Sequence, residues 1–256
     1  MNSYKKQIEW NMQELKKHLN SYYETKDTED LHKLRVHIKK IRALSEWSNA
    51  LKENKTKKTL NKLKKLFKEA GHIRSILITI STLNKYNIKA SQIIKEEQKK
   101  LKLHSRLFLL HYWLYKKDID NTWLYLKGHI KEPKTKHLIN KAIKSCKIIE
   151  ETLTNKRKKE EWHEARKLLK IVLYNAEAKF QKTNQNINFN FEYASDIQHQ
   201  LGEWHDLTMI LALLKIYDNG SNTNLKAIKK QILDLETSIE MNATDLTEKI
   251  QNKSID

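Results

Sequence analysis

Laid against itself with an offset of 131 residues, the chain sets His32 on His163, Arg35 on Arg166, Lys39 on Lys170, Glu46 on Glu177 and Gly71 on Gly202. The apolar register follows, with Ile38 on Leu169, Ile41 on Val172, Leu66 on Ile197, Leu83 on Leu214 and Tyr86 on Tyr217. His32 to Gly71 and His163 to Gly202 are both 39 positions, without a gap. Five shared polar or glycine positions in one register are more than chance supplies. The sequence therefore predicts two copies of one structural unit.

What each copy is made of follows from what the chain lacks. Four Gly and a single proline, Pro133, leave few strand-and-turn signals in 256 residues dominated by helix formers. The fold class is all-α. Helical periodicity gives eight segments, roughly 3–23, 28–52, 56–84, 90–127, 134–154, 157–183, 190–218 and 223–250. Long helices with short connections favour antiparallel packing, hence two four-helix bundles. The division falls near Gly128–Lys134, giving residues 1–130 and 131–256 as the two halves of one compact unit.

The charge does not follow that symmetry. Residues 1–127 hold 29 Lys+Arg against 13 Asp+Glu, and residues 128–256 hold 21 against 18, so nearly all of the net +19 sits in the first half. A charge of that size suggests a polyanionic partner: nucleic acid, an acidic membrane surface or a phosphate polymer. Cys146 is the only cysteine, which excludes an intramolecular disulfide and suits a reducing compartment. The most apolar run, residues 107–115, is too short to span a bilayer and carries His111. A cytoplasmic protein without membrane insertion is expected. The basic run at 57–70 carries Leu60, Leu63, Leu66, Phe67 and Ala70 at helical spacing, which reads as bundle core rather than a membrane-surface helix.

The stretch LHKLRVHIKKIRAL, residues 31–44, shows what the cations do. At 100° per residue, His32, Arg35, Lys39, Arg42 and Glu46 share one stripe, while Leu31, Leu34, Ile38, Ile41 and Leu44 form a separate apolar one. Lys33, His37 and Lys40 are left for the solvent side. Cations at i, i+4 and i+7 repel one another unless solvent, a carboxylate or a bound anion screens them, and Glu46 is placed to pair with Arg42. In the second copy His163, Arg166, Lys170 and Glu177 persist although Val36 has become Lys167 and His37 has become Leu168. The stripe is what is kept. The third helix of each copy adds a glycine in its interior, Gly71 or Gly202, at a cost of about 1 kcal/mol relative to alanine. Three positions later stand Arg74 and His205.

These motifs resemble those of the CHAD family, the conserved histidine α-helical domain. The family's first copy reads approximately His-x-x-Arg-Val-x-x-basic-basic-apolar-Arg, and His32, Arg35, Val36, Lys39, Lys40, Ile41 and Arg42 fill every position. In the second copy His163, Arg166, Lys170, Tyr174 and Glu177 match, but Leu173 stands where arginine is expected. Of the later Leu-Gly-x-x-Arg-Asp segment the chain keeps Gly71 and Arg74 but has Ser75, and keeps Gly202 and Asp206 but has His205. The resemblance implies two four-helix bundles related by a pseudo-two-fold axis, with a basic groove or channel between them. It also implies non-catalytic binding of inorganic polyphosphate, and with it association with polyphosphate granules. The binding residues it implies are His32, Arg35, Lys39, Lys40, Arg42, Arg74, His163, Arg166, Lys170 and His205. No catalytic residue, metal or cofactor is expected.

Two rivals use the same residues. A nucleic-acid-binding helical protein shares the charge but lacks a motif for base readout or strand stacking, since Trp113 and Trp123 sit in apolar patterns that read as core. Nucleic acid is then a weaker electrostatic competitor. A metal-dependent phosphohydrolase would use Glu69-x-x-His72, Glu160-x-x-His163 or His205-Asp206, but the sequence places no further inward glutamate on the first or second helix.

Overall fold

The computed structural model describes residues 4–48, 54–86, 91–155, 159–180, 189–217 and 223–251. Every regular element among them is helical. In chain order they are α1 (Tyr4–Thr25), α2 (Thr28–Trp47), α3 (Asn54–Lys85), α4 (Ser91–Leu110), α5 (Tyr112–His129), α6 (Thr135–Thr154), α7 (Trp162–Phe180), α8 (Phe191–Tyr217), α9 (Thr223–Ala243) and α10 (Leu246–Gln251). A 3-10 turn, Lys159–Glu161, precedes α7. The segment ends expected at 3, 49–52, 90, 157–158, 181–183 and 218 lie outside the described residues.

The chain divides into two compact units, Met1–Pro133 and Lys134–Asp256. In the first, α1 packs on α2, α2 on α3, α3 on α4 and α5, and α5 back on α1. Local chemistry sets the entry to α2. Lys26 closes α1 in the left-handed region at φ 62°, and the Asp27 side chain then accepts from the Glu29 N–H at 2.9 Å. Glu29 and Asp30 place negative charge in the first turn, where the helix dipole favours it. The helix expected over 90–127 is two helices, α4 and α5, meeting at His111. The His111 N–H still reaches the Leu107 carbonyl at 3.2 Å and the Tyr115 N–H the His111 carbonyl at 3.0 Å, so these rungs of the ladder persist across the junction. At the junction, His111 Nδ1 lies 3.3 Å from Glu69 of α3 and the Tyr115 hydroxyl donates to the same carboxylate oxygen.

Leu31, Leu34, Ile38, Ile41 and Leu44 are buried, as their spacing predicts. The third face of α2 is only partly solvent: Lys33 is exposed and Lys40 half-buried. His37 is only 8 % exposed, because α1 closes over it and a single helix pattern cannot show that a second neighbour flanks the core face. Its Nδ1 is 2.9 Å from Asn11 Oδ1, and its ring meets Trp10 edge-on at 5.4 Å. Burial first, then the charges of His18 and Lys40, push the His37 pKa down to about 4. Asp30, also buried, accepts from Ser21 Oγ at 2.6 Å and from His18 Nδ1 at 2.7 Å. Burial works to raise the Asp30 pKa, but these two hydrogen bonds, with the His18 and Lys33 charges, hold it below the usual carboxylate range.

In the second unit α6, α7, α8 and α9 likewise close a ring, each packing on the next and α9 returning to α6. The short α10 is tied in by polar contacts. Glu150 of α6 accepts from the Thr247 N–H at 3.0 Å and from its hydroxyl, a carboxylate at a helix N-terminus, while the Asn190 N–H donates to the Ile250 carbonyl at 2.7 Å. Leu169, Val172, Ile197 and Leu214 are buried here, as Ile38, Ile41, Leu66 and Leu83 are in the first unit. Cys146 is buried among them, its thiol pushed up to about 12 by burial and by the Glu150 charge, which fits a small apolar side chain rather than a reactive one. Trp113 is not core. It is 68 % exposed, in the first turn of α5. No described helix is long and apolar enough to cross a membrane.

Candidate functional site

In the first unit the stripe on α2 faces α3. Arg35 Nη1 donates to the Phe67 carbonyl, and the guanidinium lies over the Phe67 ring with Cζ 3.9 Å from its centroid. Lys39 Nζ stands 5.8 Å from the same ring. Phe67 was expected in the core; it is half-buried instead, a platform for two cations. The nearby glycine now has a cause. A Cβ on Gly71 would lie 2.1 Å from Arg35 Nη1, so the helix gives up a side chain there to let the guanidinium in.

Arg74, one turn beyond Gly71, completes the group. Its charge, after burial, is the main influence lowering the His32 pKa, which Lys39 and Arg35 lower further and Glu29 partly offsets. The Arg35 pKa is lowered too, by burial and then by Arg74. The structure thus brings His32, Arg35, Lys39 and Arg74 together as mutually repelling donors. It does not bring in the other two first-half candidates. Arg42 is exposed further along α2. Lys40 acts on His37, on the opposite flank of the helix.

The second unit assembles the corresponding residues with a different balance. The His163 and His205 rings sit 4.6 Å apart, and the charges of Arg166, then His163, lower the His205 pKa after burial, with Lys170 in the same sense and Asp206 opposing. The Lys170 pKa is lowered by burial and by Arg166, with Asp206 again opposing. Arg166 comes near Gly202, but its Nη2 would lie 3.8 Å from an added Cβ, an ordinary contact. Gln198 occupies the place that Phe67 holds relative to the glycine, so Arg166 has no aromatic platform there. Arg166 Nε is buried with no hydrogen-bond partner among the described residues. Leu173 adds no charge, and Asp206 subtracts some. Of the phosphohydrolase candidates, His72 is exposed and stacks on His104 at 5.8 Å while Glu69 turns to His111 and Tyr115, so that pair does not converge.

The two glycines give a direct test of this asymmetry. Gly71→Ala gains about 1 kcal/mol of helix propensity but forces Arg35 off Phe67, so thermal stability should change by less than about 1 kcal/mol while polyanion affinity falls several-fold. Gly202→Ala should gain about 0.5–1 kcal/mol with affinity unchanged. Equal effects in paired melting curves and titrations would remove the distinction.

An all-α chain of two helical units, each with a His/Arg/Lys cluster spanning two neighbouring helices, is the class that these features define. The sequence model of the CHAD domain matches residues 6–215, and the chain belongs to the CHAD family. The crystal structure of the CHAD domain from the plant Ricinus communis has the same fold: TM-score 0.64, covering 96% of this chain and 88% of that one, at 15% identity. A search of curated proteins found no match.

Proposed function

We propose that this chain binds inorganic polyphosphate without catalysing a reaction on it, through His32, Arg35, Lys39 and Arg74, with His163, Arg166, Lys170 and His205 as a second, weaker set. The observation that carries the reading is the way Arg35 is held. A guanidinium clamped over Phe67 and beside Gly71, with a second arginine and a lysine near it, gathers positive charge that a bound anion would screen. A linear phosphate polymer carries about one charge per residue and no bases, so a row of donors without base readout suits it. Family membership supports the same ligand class.

The experiment is a titration with polyphosphate against duplex DNA at about 150 mM salt. Polyphosphate should bind in tenfold or greater preference per charge, and its affinity should fall steeply with salt, by analogy with counterion release from nucleic-acid backbones. Equal competition by DNA would establish the nucleic-acid reading, and release of orthophosphate would establish an enzyme. The pH dependence has a definite sign. His32 and His205 have pKa values below the ordinary 6.5 in the free protein, held there by burial and by the cations around them. A bound polyanion raises them, so protons are taken up on binding. Affinity should therefore rise as the pH falls through the region around and below 6.5.

A further inference from the structure

The layer between α1 and α2 contains a second constellation, apart from the cationic cluster. Glu14 and His18 lie one turn apart on α1, His37 approaches from α2, and one ligand-type atom of each lies within 4.8 Å of the other two. The His18 and His37 rings are nearly parallel, 17° apart with centroids at 5.6 Å.

The hydrogen bonds decide which ring nitrogens are available. Asp30 takes the Ser21 hydroxyl on one carboxylate oxygen and His18 Nδ1 on the other, so His18 carries its proton on Nδ1. Asn11 donates its amide to the Gln7 carbonyl at 2.7 Å, which turns Oδ1 toward His37 and makes His37 Nδ1 the donor. In their neutral form, the one that ligates a metal, both rings leave Nε2 as a lone pair. On His18 that lone pair faces Glu14 Oε2 at 3.7 Å, one acceptor against another. Either a proton on His18 or a metal ion belongs between them. Lys17, on the exposed side, donates to the same Glu14 oxygen at 3.5 Å and screens that carboxylate only from the solvent side.

We propose that Glu14, His18 and His37 form a binding site for one divalent transition-metal ion, zinc by preference, with Asp30 and Asn11 fixing the two imidazoles from behind. Two imidazoles and one carboxylate make a borderline donor set that suits zinc better than calcium or magnesium, which take oxygen ligands. A carboxylate or amide on the far nitrogen of each ligating histidine is the usual outer arrangement. Tetrahedral zinc at about 2.0–2.1 Å from each donor needs them a little over 3 Å apart, so on binding the Glu14–His18 separation of 3.7 Å tightens slightly and His37 moves in from a separation of up to 4.8 Å. Side-chain exposures of 11% for His18 and 23% for Glu14 leave a route in.

The test uses the full chain stripped with a chelator. Zinc is titrated in competition with a chromophoric chelator, and cobalt serves as the spectroscopic probe. The wild type should bind one equivalent tightly, with cobalt absorption of a four-coordinate site. Glu14→Gln, at a partly exposed position that should spare the fold, is expected to weaken that equivalent at least tenfold, and Asp30→Asn by about 10–100-fold. His72→Gln combined with His104→Gln, which removes the other stacked pair on α3 and α4, should leave it unchanged. If the wild type binds no tight equivalent, or if Glu14→Gln and His18→Gln both bind as the wild type does, the gap holds a proton on His18 and the metal site is refuted.

Discussion

Arg35→Ala is expected to weaken polyphosphate binding by about tenfold to a hundredfold, the span of a lost charge-assisted hydrogen bond at ~1.5–3 kcal/mol. Arg166→Ala should cost less than half as much in free energy. Arg35 is already held by the Phe67 carbonyl and ring, so little rotamer entropy is lost when an anion arrives. Arg166 lacks the platform, sits in a group that includes Asp206, and belongs to the half with little net charge. Titration of both variants beside the wild type decides the matter, with helicity measured to exclude unfolding. Equal losses, or a larger loss at Arg166, would show that the two clusters share the polymer differently from this reading.

The largest effect on stability should come from Trp162→Ala, about 3–5 kcal/mol in denaturant unfolding. Trp162 opens α7, is fully buried, and packs on Trp204 of α8 with ring centroids 5.1 Å apart. Its indole Nε1 is buried with no acceptor among the described residues. That makes the control informative. Trp162→Phe removes volume but also removes an unsatisfied donor, whose burial costs about 1–3 kcal/mol, so its net loss should be under about 1.5 kcal/mol. A Phe variant as unstable as the Ala variant would mean that the N–H has a partner worth keeping. Trp162 also sets the start of α7 one residue before His163, so the Ala variant should weaken polyphosphate binding through position rather than charge.

The helical class and the apolar stripe of α2 were readable because a period of 3.6 residues states which side of a helix is dry. The composition of the clusters was readable because an offset of 131 residues separates repeated cations from expendable ones. Three features were not. His37 shares the polar periodicity of Lys33 and Lys40, and only the packing of α1 buries it. The junction at His111 has no proline or glycine to announce it, and its partner there, Glu69, is some forty residues away on α3. Phe67 looked like core because it follows Leu60, Leu63 and Leu66 in register, yet its ring serves Arg35. Its position four residues before Gly71 was the available sign, since a helical carbonyl one turn before a glycine is open to a donor from outside the helix. Glu14 was passed over because one glutamate on α1 means nothing until α2 supplies His37 opposite it.

One hydrogen bond has a consequence for how such a chain can be assembled. The Tyr4 N–H donates to Glu132 Oε2 at 2.9 Å, so the first unit begins and ends at one place. A stretch of polypeptide whose two ends meet can be spliced, permuted or followed by another without a spanning linker. Here the next helix, α6, starts at Thr135, directly after that closure. Joining the native ends of residues 4–132 and opening the ring elsewhere would change the order in which the helices are synthesised while leaving their neighbours the same. For this unit, the order of the genetic text is a matter of convenience more than of architecture.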